Sequence, residues 1–86
     1  MSPYEITFAR SARRELEALE TQLVARLWAR IRALGGQPRP LGSRKLQGEE
    51  DVWRIRVGDY RVLYEIKDAA RIIDIVAVRH RRDAYR

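Results

Sequence analysis

The sequence predicts a small α+β domain: one short strand, a pair of helices and three further strands. Three observations carry that prediction. Residues 51–66, DVWRIRVGDYRVLYEI, hold two β-type runs, Val52–Val57 and Tyr60–Ile66, around a two-residue Gly58-Asp59 turn of the kind that closes a tight hairpin. Between Ala12 and Leu34 the apolar period lengthens to threes and fours, which is helical. Arg71–Val78, RIIDIVAV, is a near-continuous apolar run of strand length, expected to be covered on at least one face and paired centrally.

In chain order, Tyr4, Ile6 and Phe8 alternate with polar residues and suggest the first strand. Ser11 is a candidate cap for the element that follows, although Arg14 rather than Glu fills the capping-box position. Leu16, Leu19, Leu23, Leu27, Ile31 and Leu34 then form the helical stripe, widened by Val24 and Trp28. Thr21 is a second candidate cap, so two helices meeting near Glu20–Thr21 are expected instead of one rod. Trp28 is read as core or interface filler, not as a base-stacking platform. Gly35-Gly36 ends the helical pattern and Pro38 and Pro40 prevent its return, so residues 35–51 are expected to be a loop containing Arg44 and Lys45.

Alternation assigns the faces of the hairpin. Trp53, Ile55 and Val57 point one way and Val52, Arg54 and Arg56 the other; Val62, Tyr64 and Ile66 share one face and Arg61, Leu63 and Glu65 the opposite one. If the apolar sets meet in one core, Arg54, Arg56 and Arg61 converge on the far side of the sheet. Solvated faces also carry arginines, but three arginines without a lysine favour a phosphate-binding surface. The tail Arg79–Arg86, RHRRDAYR, adds four arginines and the only histidine where the last strand runs out.

Eighty-six residues are expected to make one domain, 1–86. The 45% hydrophobic content and absence of low-complexity tracts separate the chain from disordered sequences. A net charge of +6, with all basic residues except Lys45 and Lys67 being arginine, favours a polyanionic partner: nucleic acid, an acidic protein or a membrane surface. A GC-rich genome would produce the same arginine dominance. No cysteine is present, which excludes disulfides, zinc–thiolate sites and thiol nucleophiles. No apolar run has signal-peptide or membrane-spanning character, so the expected location is cytoplasmic, away from membranes.

Familiar catalytic sets are missing. One histidine and no cysteine leave no Cys–His pair, no Ser–His–Asp spacing is discernible, and neither phosphate-binding glycine motif nor histidine cluster for a metal occurs. RNA cleavage can proceed without them, because RNA carries its own nucleophile, the 2′-hydroxyl. The protein must position that oxygen, remove its proton, stabilise charge on phosphorus and protonate the departing 5′-oxygen. Arginine suits the charge-stabilising part through bidentate phosphate contacts.

The order strand, helical hairpin and three strands, together with RKLQG, VWRIRVGDYRVLYEI and VAVRHRRDAYR, resembles the RelE/ParE superfamily of bacterial toxin–antitoxin toxins. Within it the chain is most similar to the RelE branch of messenger-RNA endonucleases. The resemblance spans essentially the whole chain, and the combination of K-L-x-G, G-x-Y-R-[VL]-x-Y and H-R-x-x-x-Y carries it. It implies an antiparallel sheet with the helices packed on one face, and a concave basic face that enters the ribosomal A site beside ribosomal RNA. It also implies cleavage of messenger RNA there without metal or cofactor, and neutralisation by a cognate antitoxin, expected here to be acidic.

Matched residue by residue, Arg61 falls on the arginine that contacts the scissile phosphate. Arg81 falls on one implicated in transition-state or leaving-group stabilisation, and Tyr85 on a tyrosine that stacks on or orients the substrate base. Arg54 and Arg56 occupy basic substrate-binding positions often held by lysine, and Lys45 the basic position of K-L-x-G. Guanidinium stays protonated at ordinary pH and makes a poor general base. Histidine ordinarily titrates near neutrality, so His80 is the acid/base candidate, with Glu50 or Asp51 as weaker ones. Two other readings compete: a ParE-type toxin that inhibits DNA gyrase by binding, and an inactive member that only binds its antitoxin.

Overall fold

A computed structural model of the chain describes residues 3–48 and 51–82. Its elements are β1 (Glu5–Phe8), α1 (Arg10–Glu17), α2 (Thr21–Ala33), β2 (Arg44–Lys45), β3 (Val52–Val57), β4 (Tyr60–Lys67) and β5 (Ile72–His80). The strands form one sheet in the order β1-β5-β4-β3-β2. β3, β4 and β5 make the expected antiparallel meander, and β1 lies parallel to β5 at one edge. Ile72–Val78 is thus paired on both sides over its first half, in keeping with its continuous apolarity.

The helices cover one face of the sheet. Leu27 and Ile31 of α2 and Leu34 just beyond it are buried together with Ile55, Val62, Tyr64, Ile66, Ile73 and Ile75. Leu16, Leu19 and Leu23 complete the stripe at its half-buried rim. Truncating Leu27 or Ile31 to Ala would open a cavity costing about 2–5 kcal/mol. Trp28 is 38% exposed and its ring centroid lies 6.0 Å from that of Phe8, so it flanks the core instead of filling it. No helix among the described residues is long and apolar enough to cross a membrane.

Local details depart from the sequence reading in three places. Ser11 and Thr21 are not caps: both lie inside their helices, whose N-cap positions are Ala9 and Glu20 without side-chain capping bonds. Sheet pairing continues right up to α1, because the Ala9 N–H donates to the Ile75 carbonyl at 2.9 Å, and no capping turn intervenes. Second, Arg44-Lys45 is a two-residue strand on the outer edge of β3, not loop; so short an element has no periodicity to read. Third, β5 starts one residue later than expected and runs through His80. Arg71 adopts φ 56° in the turn before it, with its guanidinium carbon 4.4 Å from the centre of the Tyr4 ring.

Two hydrogen-bonded groups lock the loop to the sheet. Tyr4 donates to Asp68 Oδ1 at 2.6 Å while Arg39 Nη2 approaches Asp68 Oδ2 at 2.9 Å, joining β1, the 35–43 loop and the β4–β5 turn. The Arg39 hydrogen bond first, and the Tyr4 one second, hold the Asp68 carboxyl below the usual carboxylate range. Gly35 allows a close approach here: its carbonyl accepts from Tyr4 N–H at 2.7 Å, and a Cβ would come 3.0 Å from the Tyr4 oxygen. At the centre, buried Tyr64 donates to the Pro38 carbonyl at 2.7 Å, and burial pushes its phenol up to about 12.

A phenol whose pKa is higher folded than unfolded favours folding fully below the unfolded value, near 10, and loses that contribution as pH rises towards 12. Tyr64→Phe should cost about 1 kcal/mol at neutral pH through the lost hydrogen bond. It should also remove one component of the alkaline destabilisation between pH 10 and 12, measured by thermal melts followed by circular dichroism.

Candidate functional site

The face of the sheet away from the helices is where the charge lies. Register alone builds its main feature: Arg56 pairs with Arg61, and Arg61 pairs with Arg79. Three arginines thus stand in one row across β3, β4 and β5. One step along, Arg44 pairs with Arg54 and Arg54 with Leu63. At the far end of the same face stand Glu65 and Asp74, paired with each other, and Thr7, which donates to Asp74 Oδ1 at 2.8 Å. The open face therefore runs from acidic to strongly basic.

An irregularity in β5 makes the arginine row. Leu63 pairs with Ala77 but Tyr64 with Ile75, so Val76 is an extra residue opposite the Leu63–Tyr64 step. Before the bulge Ile73 and Ile75 face the core; after it Val78 does, opposite Val62. Without that shift of parity Arg79 would point at the helices. Past the end of β1, the outer edge of β5 is met by α1. Glu15 Oε1 accepts the Val78 N–H at 2.9 Å, and Oε2 lies 3.4 Å from Arg79 Nε. One carboxylate both covers a strand edge and tethers an arginine.

At the hairpin end the face deepens into a cavity of about 290 Å³. Its walls are Arg56, Arg61, Arg81 and Arg82, and its floor is the turn Gly58-Asp59 with Tyr60. Gly58 has φ 60°, the only positive φ of the turn, as a II′ turn requires. The backbone N–H of Arg81 donates to the Asp59 carbonyl at 2.7 Å, bringing the strand exit against the turn. Four guanidiniums around one concavity favour a phosphate over any neutral ligand.

The structure brings together Arg56, Arg61 and Arg81 of the residues singled out above, with Arg54 next to them. His80 lies on the other side of β5, paired with Tyr60 and edge-on to its ring at a centroid distance of 5.2 Å. Its Nδ1 accepts the Arg82 N–H at 3.2 Å, so His80 meets the cavity through Tyr60 and Arg82 and does not line it. Lys45 pairs with Trp53 and shares its side of the sheet, leaving Arg44 on the arginine face. Asp51 lies before β3, away from the cavity. Tyr85 and Glu50 fall outside the described residues.

Three contributors escaped the sequence reading. Arg79, Arg82 and Asp59 were part of segments already noted, but only the bulge and the turn geometry assign them.

Comparison with known proteins agrees with this architecture. The family model described as the ParE toxin of type II toxin–antitoxin systems matches residues 6–85. Toxin RelG of Mycobacterium tuberculosis is 32% identical over 85 residues, covering 98% of both chains. Among solved structures, the toxin–antitoxin complex RelBE2 of M. tuberculosis superposes with a TM-score of 0.80 at 30% identity, covering 91% of this chain and 98% of the other. The archaeal RelE–RelB complex of Pyrococcus horikoshii gives 0.81 at 26% identity, covering 92% and 96%.

Glu15→Ala should leave the buried Val78 N–H without its acceptor and cost about 1–3 kcal/mol, whereas Glu15→Gln, which keeps an acceptor, should cost less. Denaturant titration of the two variants checks the order.

Proposed function

The chain belongs to the ParE toxin family of type II toxin–antitoxin systems, within the RelE/ParE superfamily, and from that premise we propose that it is a RelE-type endoribonuclease that cleaves messenger RNA in the ribosomal A site. The observation that carries this reading is the cavity walled by Arg56, Arg61, Arg81 and Arg82. A scissile phosphate seated there meets guanidiniums on several sides. As the 2′-oxygen attacks phosphorus, the P–O5′ bond breaks, leaving a 2′,3′-cyclic phosphate and a 5′-hydroxyl. The extra negative charge of the transition state is what Arg61 and Arg81 stabilise. Arg44, Arg54 and Arg79 guide the flanking backbone, with Lys45 on the rim of the other face, and Tyr85 orients a base. No metal is needed in this scheme, and ribosomal RNA completes the surroundings of the substrate.

Proton transfer is assigned to His80, whose Nδ1 accepts the Arg82 N–H and is therefore the lone-pair nitrogen of the neutral ring, so that this contact must open for the imidazole to take the 2′-hydroxyl proton. A second reading is favoured by one observation: Asp59, unlike His80, lines the cavity. The two bases separate on the pH–rate profile.

The partner that neutralises the toxin is a cognate antitoxin, by analogy with relatives solved as toxin–antitoxin complexes. A +6 toxin calls for an acidic, amphipathic binding segment. Its association rate should fall steeply as salt rises, because screening removes electrostatic steering; stopped-flow mixing at several ionic strengths measures it, and a salt-independent rate would contradict the steering.

Pulse expression followed by mapping of message 5′ ends tests the activity itself. New ends within codons are expected, whereas intact messages with trapped gyrase–DNA complexes would favour a ParE-like inhibitor, and neither effect an inactive antitoxin-binding member. Arg61→Ala and Arg81→Ala should each lower cleavage roughly 10²-fold or more while leaving the fold intact. His80→Gln should slow cleavage by about 10²-fold and flatten the acid limb. If Asp59→Asn flattens it instead, the base is the carboxylate.

A further inference from the structure

Beside the arginine-lined cavity the open face holds a second depression of about 160 Å³, lined by Leu46, Arg54, Arg61, Leu63 and Arg79. Its composition differs from that of its neighbour. Leu63 stands between Arg54 and Ala77 in the register, and Leu46 follows β2 with its N–H bonded to the Val52 carbonyl at 2.9 Å. Two leucines thus make an apolar floor on a face otherwise given to charge, and three guanidiniums make the rim. Arg61 lines both depressions.

We infer that this depression seats the nucleobase adjacent to the phosphate held in the first cavity, and that it favours the keto bases guanine and uracil over the amino bases adenine and cytosine. The inference rests on the nuclease reading above and adds a specificity-determining subsite to it. A phosphate gains nothing from a leucine floor, whereas the flat face of an unstacked base is desolvated favourably on one. Because Arg61 is common to both depressions, a phosphate on one side of it puts the next base within reach of the other. The rim then reads the base edge. A guanidinium offers N–H donors and no acceptor, so it matches the O6 and N7 of guanine or the O4 of uracil, and opposes the exocyclic amino groups of adenine and cytosine. On the β5 side the rim is held in place, since Glu15 Oε2 lies 3.4 Å from Arg79 Nε.

Methyl and amide NMR of the full chain tests the seat without requiring cleavage. Inorganic phosphate should shift the amides of Gly58 and Asp59 and leave the methyls of Leu46 and Leu63 in place. GMP and UMP should move both sets and bind about tenfold more tightly than AMP and CMP, the effect of roughly one well-made hydrogen bond. Leu63→Asn removes the floor without changing charge, and should weaken GMP about tenfold while phosphate binding is retained; Leu46→Asn does the same from β2 should the first variant fold poorly. Leucine methyls unmoved by every nucleotide, moved equally by all four, or GMP affinity untouched in the folded variants would overturn the proposal. Failure of the nuclease reading would show separately, as the absence of new message 5′ ends.

Discussion

Repulsion between neighbouring arginines is the constraint under which this molecule is built. Directly opposed side chains on paired strands stand about 4.5–5.5 Å apart at Cβ, and like charges in such positions are destabilising by roughly 0.2–1 kcal/mol. Arg56, Arg61 and Arg79 occupy two such contacts in succession, and Arg44 faces Arg54 one step away. The other side of the same sheet supplies the opposing free energy: a core of Leu, Ile, Val and the fully buried Tyr64, closed by two helices. Electrostatic strain and apolar burial are thus separated by the thickness of one sheet, and neither face is intelligible alone. An anion seated on the open face would relieve this repulsion.

The Val76 bulge reconciles the two faces. A regular β5 would place either Ile73 and Ile75 in the core, or Val78 in the core with Arg79 in the row. One extra residue lets both occur. The end of β1 leaves the outer edge of β5 without a strand partner beyond Ile75, and the Glu15 carboxylate meets that edge at Val78 and Arg79. Glu15, one of two acids on a helix with three arginines, thus carries two structural duties.

Much of this was readable in the chain. Alternation in Val52–Val57 and Tyr60–Ile66 around Gly58-Asp59 is strong enough to assign faces residue by residue, and two helices meet at Glu20–Thr21 as expected, although Thr21 lies inside the second and does not cap it. What stayed hidden has a common cause: the information is not local. In IIDIVAV only Asp74 is polar, so period-two parity is invisible and the bulge leaves no trace. Its consequences, Arg79 joining the row and His80 turning away from it, are hidden with it. Arg44-Lys45 becomes a strand only because β3 offers an unpaired edge. Ser11 looks like a cap until the Ala9–Ile75 hydrogen bond carries the sheet into the helix.

The pairing of β1 with β5 has a bearing on how such a chain is made. Glu5–Phe8 must wait for Ile72–Ile75, the last strand to be synthesised, before either half of the sheet is complete. Contacts of such high sequence separation form late and set the pace of folding. The arginine row draws on residues 56, 61 and 79, so it too is absent from any partly emerged chain. Vectorial synthesis therefore keeps the basic face unassembled until Ile72–His80 has been made and has paired with both Glu5–Phe8 and Tyr60–Lys67.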